Sequence, residues 1–277
     1  MYFSRFALLL FIAGPAIAAD GFMLGGGVES DSEDGLGIAL VGSVGLAEET
    51  WLSFGVAQSS VELQSGRELE ALYADIGIDH FFDPVGVNFS VAYWGDSDVL
   101  ESNDWRASGY YRNKKVSFSL DYEFRDFDLT IPRTDFFPGR RVTFDADGFG
   151  LSARLQTSEN TSIRLRGIKY DYSLPFRPID NVNAARLLSV TRLSLINSLV
   201  DHRAGMSFSV DQGLKNWTFD VSTWEGIFTG SRTMSYTVRY LMPASDKTDI
   251  ELGVGYDDSE TYGDVTFLSL YLFFYGN

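Results

Sequence analysis

The chain has 277 residues, with 38 Asp and Glu against 22 Lys and Arg, a formal net charge of −16, and no cysteine. That balance argues against nucleic acid or an anionic surface as partner. The missing thiols exclude disulfides, Cys-based metal sites and a lipid-modified N-terminal cysteine.

In chain order, residues 1–18 read as a secretory signal. Arg5 is followed by the apolar run Phe6–Gly14, the breaker Pro15, and the small-x-small triplet Ala16-Ile17-Ala18, after which cleavage is expected. The run falls short of the ~20 residues a membrane-spanning helix needs. Residues 19–277 then read as a single domain of alternating strands. The strands fall at roughly 20–29, 36–47, 50–62, 68–82, 86–95, 103–112, 115–126, 141–155, 161–174, 198–211, 215–225, 232–242, 249–257 and 265–275. That is fourteen, with twelve or sixteen as the alternative counts.

Connections alternate in length. Short ones such as Asp83-Pro84-Val85 and Asn113-Lys114 stand between longer or more charged ones. The second group is Ser30–Gly35, Gln64–Glu68, Gly95–Asn103, Asp126–Arg140, Leu174–Leu195, Glu225–Ser231 and Asp257–Asp264. Asp180–Ser189, in the longest connection, has helical propensity and suits either the lumen or an outer lip. Gly25-Gly26-Gly27, inside the first strand, is read as allowing curvature rather than as a phosphate loop.

The strand from Lys115 to Asp126 shows the pattern most cleanly. Val116, Phe118, Leu120, Tyr122 and Phe124 share one face; Ser117, Ser119, Asp121, Glu123 and Arg125 share the other. This periodicity suits lipid or a second sheet equally. Aromatics near strand ends favour lipid. Trp51, Phe81-Phe82, Tyr110-Tyr111, Trp217, Tyr240 and Phe273–Tyr275 lie beside short turns or the chain end; Tyr93-Trp94, Phe124, Tyr170, Tyr172, Trp224 and Tyr256 lie beside long ones. Two such sets are expected of two interfacial girdles. One strand breaks phase: Val142, Phe144 and Ala146 alternate out of step with Phe149, Leu151, Ala153 and Leu155. A bulge near Asp147-Gly148 would restore one outward face.

With its signal peptide, amphipathic hairpins, uneven loops and aromatic final strand from Val265, the chain resembles Gram-negative outer-membrane β-barrels of porin-like type. Gly276-Asn277 after Tyr275 depart from the terminal aromatic common in that group. The resemblance implies an all-β, transmembrane, antiparallel up-and-down barrel in the bacterial outer membrane, with both termini periplasmic. Its partners would be outer-membrane lipid and lipopolysaccharide, the barrel assembly machinery and small polar solutes, with no nucleic acid.

No catalytic, cofactor or metal site is expected. The two histidines, His80 and His202, carry no catalytic signature, and Asp201 and His202, being adjacent on a strand, should face opposite sides. The informative charges form two sets. Arg106, Arg112, Asp121, Glu123, Arg125, Arg164, Arg166, Asp220, Arg239 and Glu251 occupy expected inward positions and are read as pore-lining. Asp31, Glu33, Asp34, Asp257, Asp258, Glu260 and Asp264, from the first and last outer connections, are read as an acidic mouth. A third acidic group, Asp96/Asp98/Glu101/Asp104, is read as the same kind of rim. The function expected is passive passage of small polar solutes or ions with weak cation preference. A structural or surface-interaction barrel is the alternative, and an outer-membrane enzyme the third.

Overall fold

The computed structural model describes residues 21–62, 68–96, 99–131, 140–173, 199–227, 230–260 and 263–276. The expected signal, residues 1–18, and Asp180–Ser189 lie outside them. Fourteen strands form. The first seven are β1 (Phe22–Asp31), β2 (Leu36–Ala47), β3 (Thr50–Glu62), β4 (Glu68–Phe81), β5 (Val85–Asp96), β6 (Leu100–Arg112) and β7 (Val116–Ile131). The others are β8 (Arg140–Ser158), β9 (Thr161–Tyr172), β10 (Val200–Gln212), β11 (Lys215–Gly226), β12 (Arg232–Ser245), β13 (Thr248–Ser259) and β14 (Gly263–Gly276). Each pairs antiparallel with its chain neighbours, and β14 pairs with β1, so the sheet closes. Closure removes the edges whose unpaired N–H and C=O groups lipid cannot solvate.

The closing seam explains the glycines of β1. Gly25 lies opposite Phe273 and Gly27 opposite Tyr271. A Cβ on Gly25 would stand 2.6 Å from Phe273 Cδ1, and one on Gly27 would overlap the Tyr271 ring. Both rings point inward, flat against a strand with no side chain there. The glycines thus serve ring packing, a more specific role than curvature.

The outward face is apolar on every side of the barrel. Leu120, Phe149, Leu151 and Leu268 are all more than 60% exposed, with Ile38, Ile76, Phe89, Trp105 and Phe219 also on the outer surface. At ~25 cal/mol per Å² such a surface is costly in water and costs nothing in hydrocarbon. The face is therefore a lipid belt, and the chain spans a membrane with its strands.

The bulge expected near Asp147-Gly148 is absent. β7 and β8 pair without a shift from Val116↔Leu155 to Ile131↔Arg140. The phase break has another cause. Phe149, Leu151 and Leu155 point outward into the belt, whereas Val142, Phe144 and Ala146 point inward and are buried. β7 does the same, with Leu120 and Tyr122 outward but Phe127 and Leu129 inward and fully buried. Beyond this level the outward positions become Asp126, Asp128, Arg141, Asp145 and Asp147. Arg141 there bonds Glu101 at 2.7 Å and Asp128 at 2.8 Å. A wall that leaves the bilayer meets water outside, so its apolar residues turn inward. The register is continuous and the solvent changes.

Three of the connections read as longer or more charged leave only three or four residues between strands. They are 32–35, 97–99 and 260–262. The first is closed by Asp31, whose Oδ1 accepts the N–H groups of Glu33 and Gly35, both at 2.8 Å. The longer gaps are 132–139 and 173–199.

Candidate functional site

The barrel interior gathers the chain's inward charges. All ten residues read as pore-lining fall on the inward register. They do not form one ring; the structure sorts them into separate groups.

On β6 and β7, Arg106, Glu123 and Arg125 meet Asp104. Asp104 is 1% exposed and takes Arg106 at 3.0 Å, Arg125 at 3.2 Å and the Ser102 hydroxyl at 2.5 Å. Glu123 takes Arg106 at 3.2 Å and Arg125 at 3.6 Å, and accepts the Tyr170 hydroxyl at 2.8 Å. Two cations and two anions make a neutral quartet. Arg125 is capped by rings, its guanidinium 4.8 Å from the Phe127 centroid and 5.7 Å from that of Tyr170. Above the quartet sits an apolar cluster that includes Leu100, Phe127, Leu129, Phe144, Val200 and Trp224.

On β11 to β13, Arg239 bonds Asp220 at 2.9 Å and approaches Glu251 at 3.9 Å. Asp220 also accepts the Ser207 hydroxyl. Asp121 accepts from Ser119 at 3.0 Å, and Arg112 lies 4.2 Å over the Phe81 ring near the short-turn end. Arg164 and Arg166 project from β9 and are exposed.

Sequence reasoning missed three members of this interior. Asp104, read as rim, is a buried anion; the strand start at Leu100 rather than 103 would have placed it inward. Arg154 stands directly across from Arg164 and is exposed on the inward face. The bulge reading had put the β8 phase in doubt, and straight alternation from Ser152 would have found it. Glu29 faces inward on β1, beside the seam.

Several aromatics read as girdle are inside instead. Trp94, Tyr170, Tyr172 and Trp224 belong to or pack on the apolar cluster. Trp217 and Tyr240 do stand outward near the short turns, their rings 4.3 Å apart.

The acidic set lies around the β1–β14–β13 seam, as the pairing of first and last strands requires. Asp31 and Asp257 occupy inward positions, while Asp258 and Asp264 are opposite each other on the outer face. Glu33 and Asp34 lie in the β1–β2 turn, and Glu260 accepts the Arg232 N–H at 3.1 Å. Of the third acidic group only Asp96, Glu101 and Asp104 are described, all within strands; Asp98 is outside the described residues.

The histidines need one correction. His202 Nδ1 contacts Asp201 Oδ2 at 2.8 Å, because a register shift between Val200 and His202 breaks the strand alternation. Both groups are exposed. His80 Nδ1 bonds the Thr50 hydroxyl at 2.7 Å, while the adjacent Asp79 is engaged by Tyr110.

No family model matches the chain, and no curated protein does. Solved structures do. A loop-deletion variant of OmpT, an outer membrane protein of Vibrio cholerae, is similar over 93% of this chain and 99% of its own, with TM-score 0.51 and 8% identity. The KdgM porin is similar over 91% and 98%, with TM-score 0.48 and 10% identity. Pseudomonas aeruginosa OccK3 (OpdO) is similar over 92% and 94%, with TM-score 0.45 and 9% identity. At these identities the likeness is one of fold. The chain has a porin-like architecture: a closed, fourteen-stranded, all-antiparallel barrel.

Proposed function

We propose that the chain is a bacterial outer-membrane channel through which small polar solutes or ions diffuse passively. The observation that carries this reading is a closed fourteen-strand barrel with an apolar belt outside and arginines, acids and hydroxyls inside. Fourteen strands enclose more space than side chains alone usually fill. In this reading outer-membrane lipid and lipopolysaccharide surround the belt, the barrel assembly machinery inserts the chain, and no chemistry is catalysed. Among the described residues the Thr50–His80 pair has no carboxylate partner for the ring, and the His202–Asp201 pair has no bonded hydroxyl.

The termini lie on the periplasmic side in this reading, and β7–β8 protrude outward from the cell. The chain has no cysteine, which makes a labelling test clean. Asp145→Cys should react with a membrane-impermeant maleimide on intact cells. Leu151→Cys, in the belt, and Asn113→Cys, at a short turn, should not. Labelling at Asn113→Cys with none at Asp145→Cys would invert the orientation.

A weak cation preference is proposed for the entrance, where acids gather at the seam and every ion passes. The interior arginines oppose it. Replacing Asp257, Asp258, Glu260 and Asp264 by their amides should shift the reversal potential toward anions in planar bilayers. The shift should fade at high salt, as screening shortens from ~10 Å at 0.1 M to ~3 Å at 1 M. An unchanged reversal potential would show that these acids do not govern entry.

One observation favours the second reading, a structural or surface-interaction barrel without transport. The quartet and the apolar cluster fill part of the interior from one side. Absence of any conductance from pure, folded protein would decide for it.

A further inference from the structure

Three guanidinium groups inside the barrel stand apart from the paired charges. Arg154 on β8 and Arg164 on β9 are direct cross-strand partners, and Arg164 and Arg166 share the inward face of β9. All three are exposed within the barrel. Among the described residues none makes an ion pair, in contrast to Arg106, Arg125 and Arg239. Two acids lie on this stretch of wall: Asp220 is held by Arg239 and Ser207, and Asp121 accepts from Ser119. Like charges directly opposite on neighbouring strands are destabilising. A fold that keeps such a pair without a carboxylate violates local electrostatic economy, and such violations concentrate at functional sites.

The wall facing these arginines carries no arginine or lysine around Ala39 among the described residues. β2 lies seven strands from β9 in either direction, so the two are diametrically opposed. From Ala39 on β2 the register climbs through Tyr73 and Phe127 to Phe144 on β8. The other way round it descends through Tyr271 and Glu251 to Asp211 on β10. Ala39 therefore stands level with the middle of β9, where Arg164 and Arg166 lie. Around it a recess of about 180 Å³ is lined by Gly37, Ala57 and Ala71 together with Glu29, Tyr73, Trp94 and Tyr271. The three arginines thus stand across the barrel from this recess, where a solute held on them meets small and aromatic side chains rather than a second set of cations.

We infer that Arg154, Arg164 and Arg166 form a binding ladder for solutes carrying two or more oxyanion groups, carboxylate or phosphate. This rests on the channel reading and names a solute class for it. Cross-strand neighbours lie ~5 Å apart and same-face neighbours on one strand ~7 Å apart. Two oxyanions at that separation engage two guanidinium forks together, each through paired, charge-assisted hydrogen bonds. An anion with one such group engages one fork and gains no second contact.

The test uses the purified full chain with two readouts. One is block of the KCl current in planar bilayers at low salt. The other is equilibrium dialysis against the detergent-solubilised barrel, which needs no conductance. The probes are succinate and pyrophosphate, with acetate and inorganic phosphate as their single-group counterparts. Each two-group anion should bind at least about tenfold more tightly than its counterpart, since a charge-assisted hydrogen bond is worth roughly that factor or more. The triple variant R154Q/R164Q/R166Q should lose about that tenfold, while Arg141→Gln on the outer surface should behave as the parent. A folded-barrel shift on an unboiled gel confirms assembly. Should the triple variant not assemble, Arg164→Gln alone should weaken both readouts several-fold. Binding by succinate alone or by pyrophosphate alone supports the ladder and identifies the oxyanion. Undiminished binding in the variants, or equal binding of one- and two-group anions, overturns it. Binding without conductance keeps the ladder and removes the channel; conductance without two-group binding does the reverse.

Discussion

Deletion of Phe267–Asn277 is expected to abolish assembly. β14 is hydrogen-bonded on both sides, to β13 from Thr248↔Phe274 and to β1 from Phe22↔Gly276. Without it two rows of N–H and C=O groups face hydrocarbon, at several kcal/mol for each unsatisfied group. The truncated chain should be missing from the membrane fraction and degraded, as immunoblots of fractionated cells would show. Normal levels would rule out the closed barrel as the stable form. A finer version leaves the strand in place. Gly27→Val places a side chain where the Tyr271 ring lies and should block or slow closure. Adding Tyr271→Ala frees that space and should restore assembly. Failure of the double variant to recover would show that β1 needs glycine for another reason.

Asp104→Ala is expected to be the most destabilising change at a single inward charge. It leaves Arg125, whose side chain is 7% exposed, without its nearest anion, and leaves Arg106 short of one partner. Breaking a buried pair from one side costs about 3–5 kcal/mol, because the remaining charge stays buried. The comparison is Arg141→Ala. Its pairs are shorter, at 2.7 and 2.8 Å, but Arg141 is 60% exposed, so solvent screens them and the loss should be far smaller than at Asp104. Urea unfolding in detergent, followed by tryptophan fluorescence, separates the two. Equal losses would mean that the quartet is hydrated from the lumen and contributes as a surface network does.

Much of the architecture was legible from the residues. The Lys115–Asp126 alternation foretold the two faces of β7, and the count of fourteen strands holds. Alternation is a local signal, since side chains switch faces at every residue whatever lies beyond. The same rule placed Arg164, Asp220 and Arg239 inward. Where reasoning failed, the cause was the identity of the medium. On β8 the shift from Phe144 to Phe149 looked like a backbone defect because one exterior was assumed along the strand. The wall in fact passes from lipid to water, and the apolar side chains change sides while the backbone continues. Tyr170 and Trp224 were misread as girdle for the same reason.

Local alternation, turn residues and the aromatic end thus determined the strands, their faces and the closed barrel, because each depends on a few neighbouring residues. Partners did not follow from the residues alone. Which acid meets which arginine depends on strand tilt and register, which bring residues far apart in sequence to one level of the wall. That is why Asp104 could be found beside Arg125, and Arg154 beside Arg164 with no ion pair among the described residues, only once the barrel was closed.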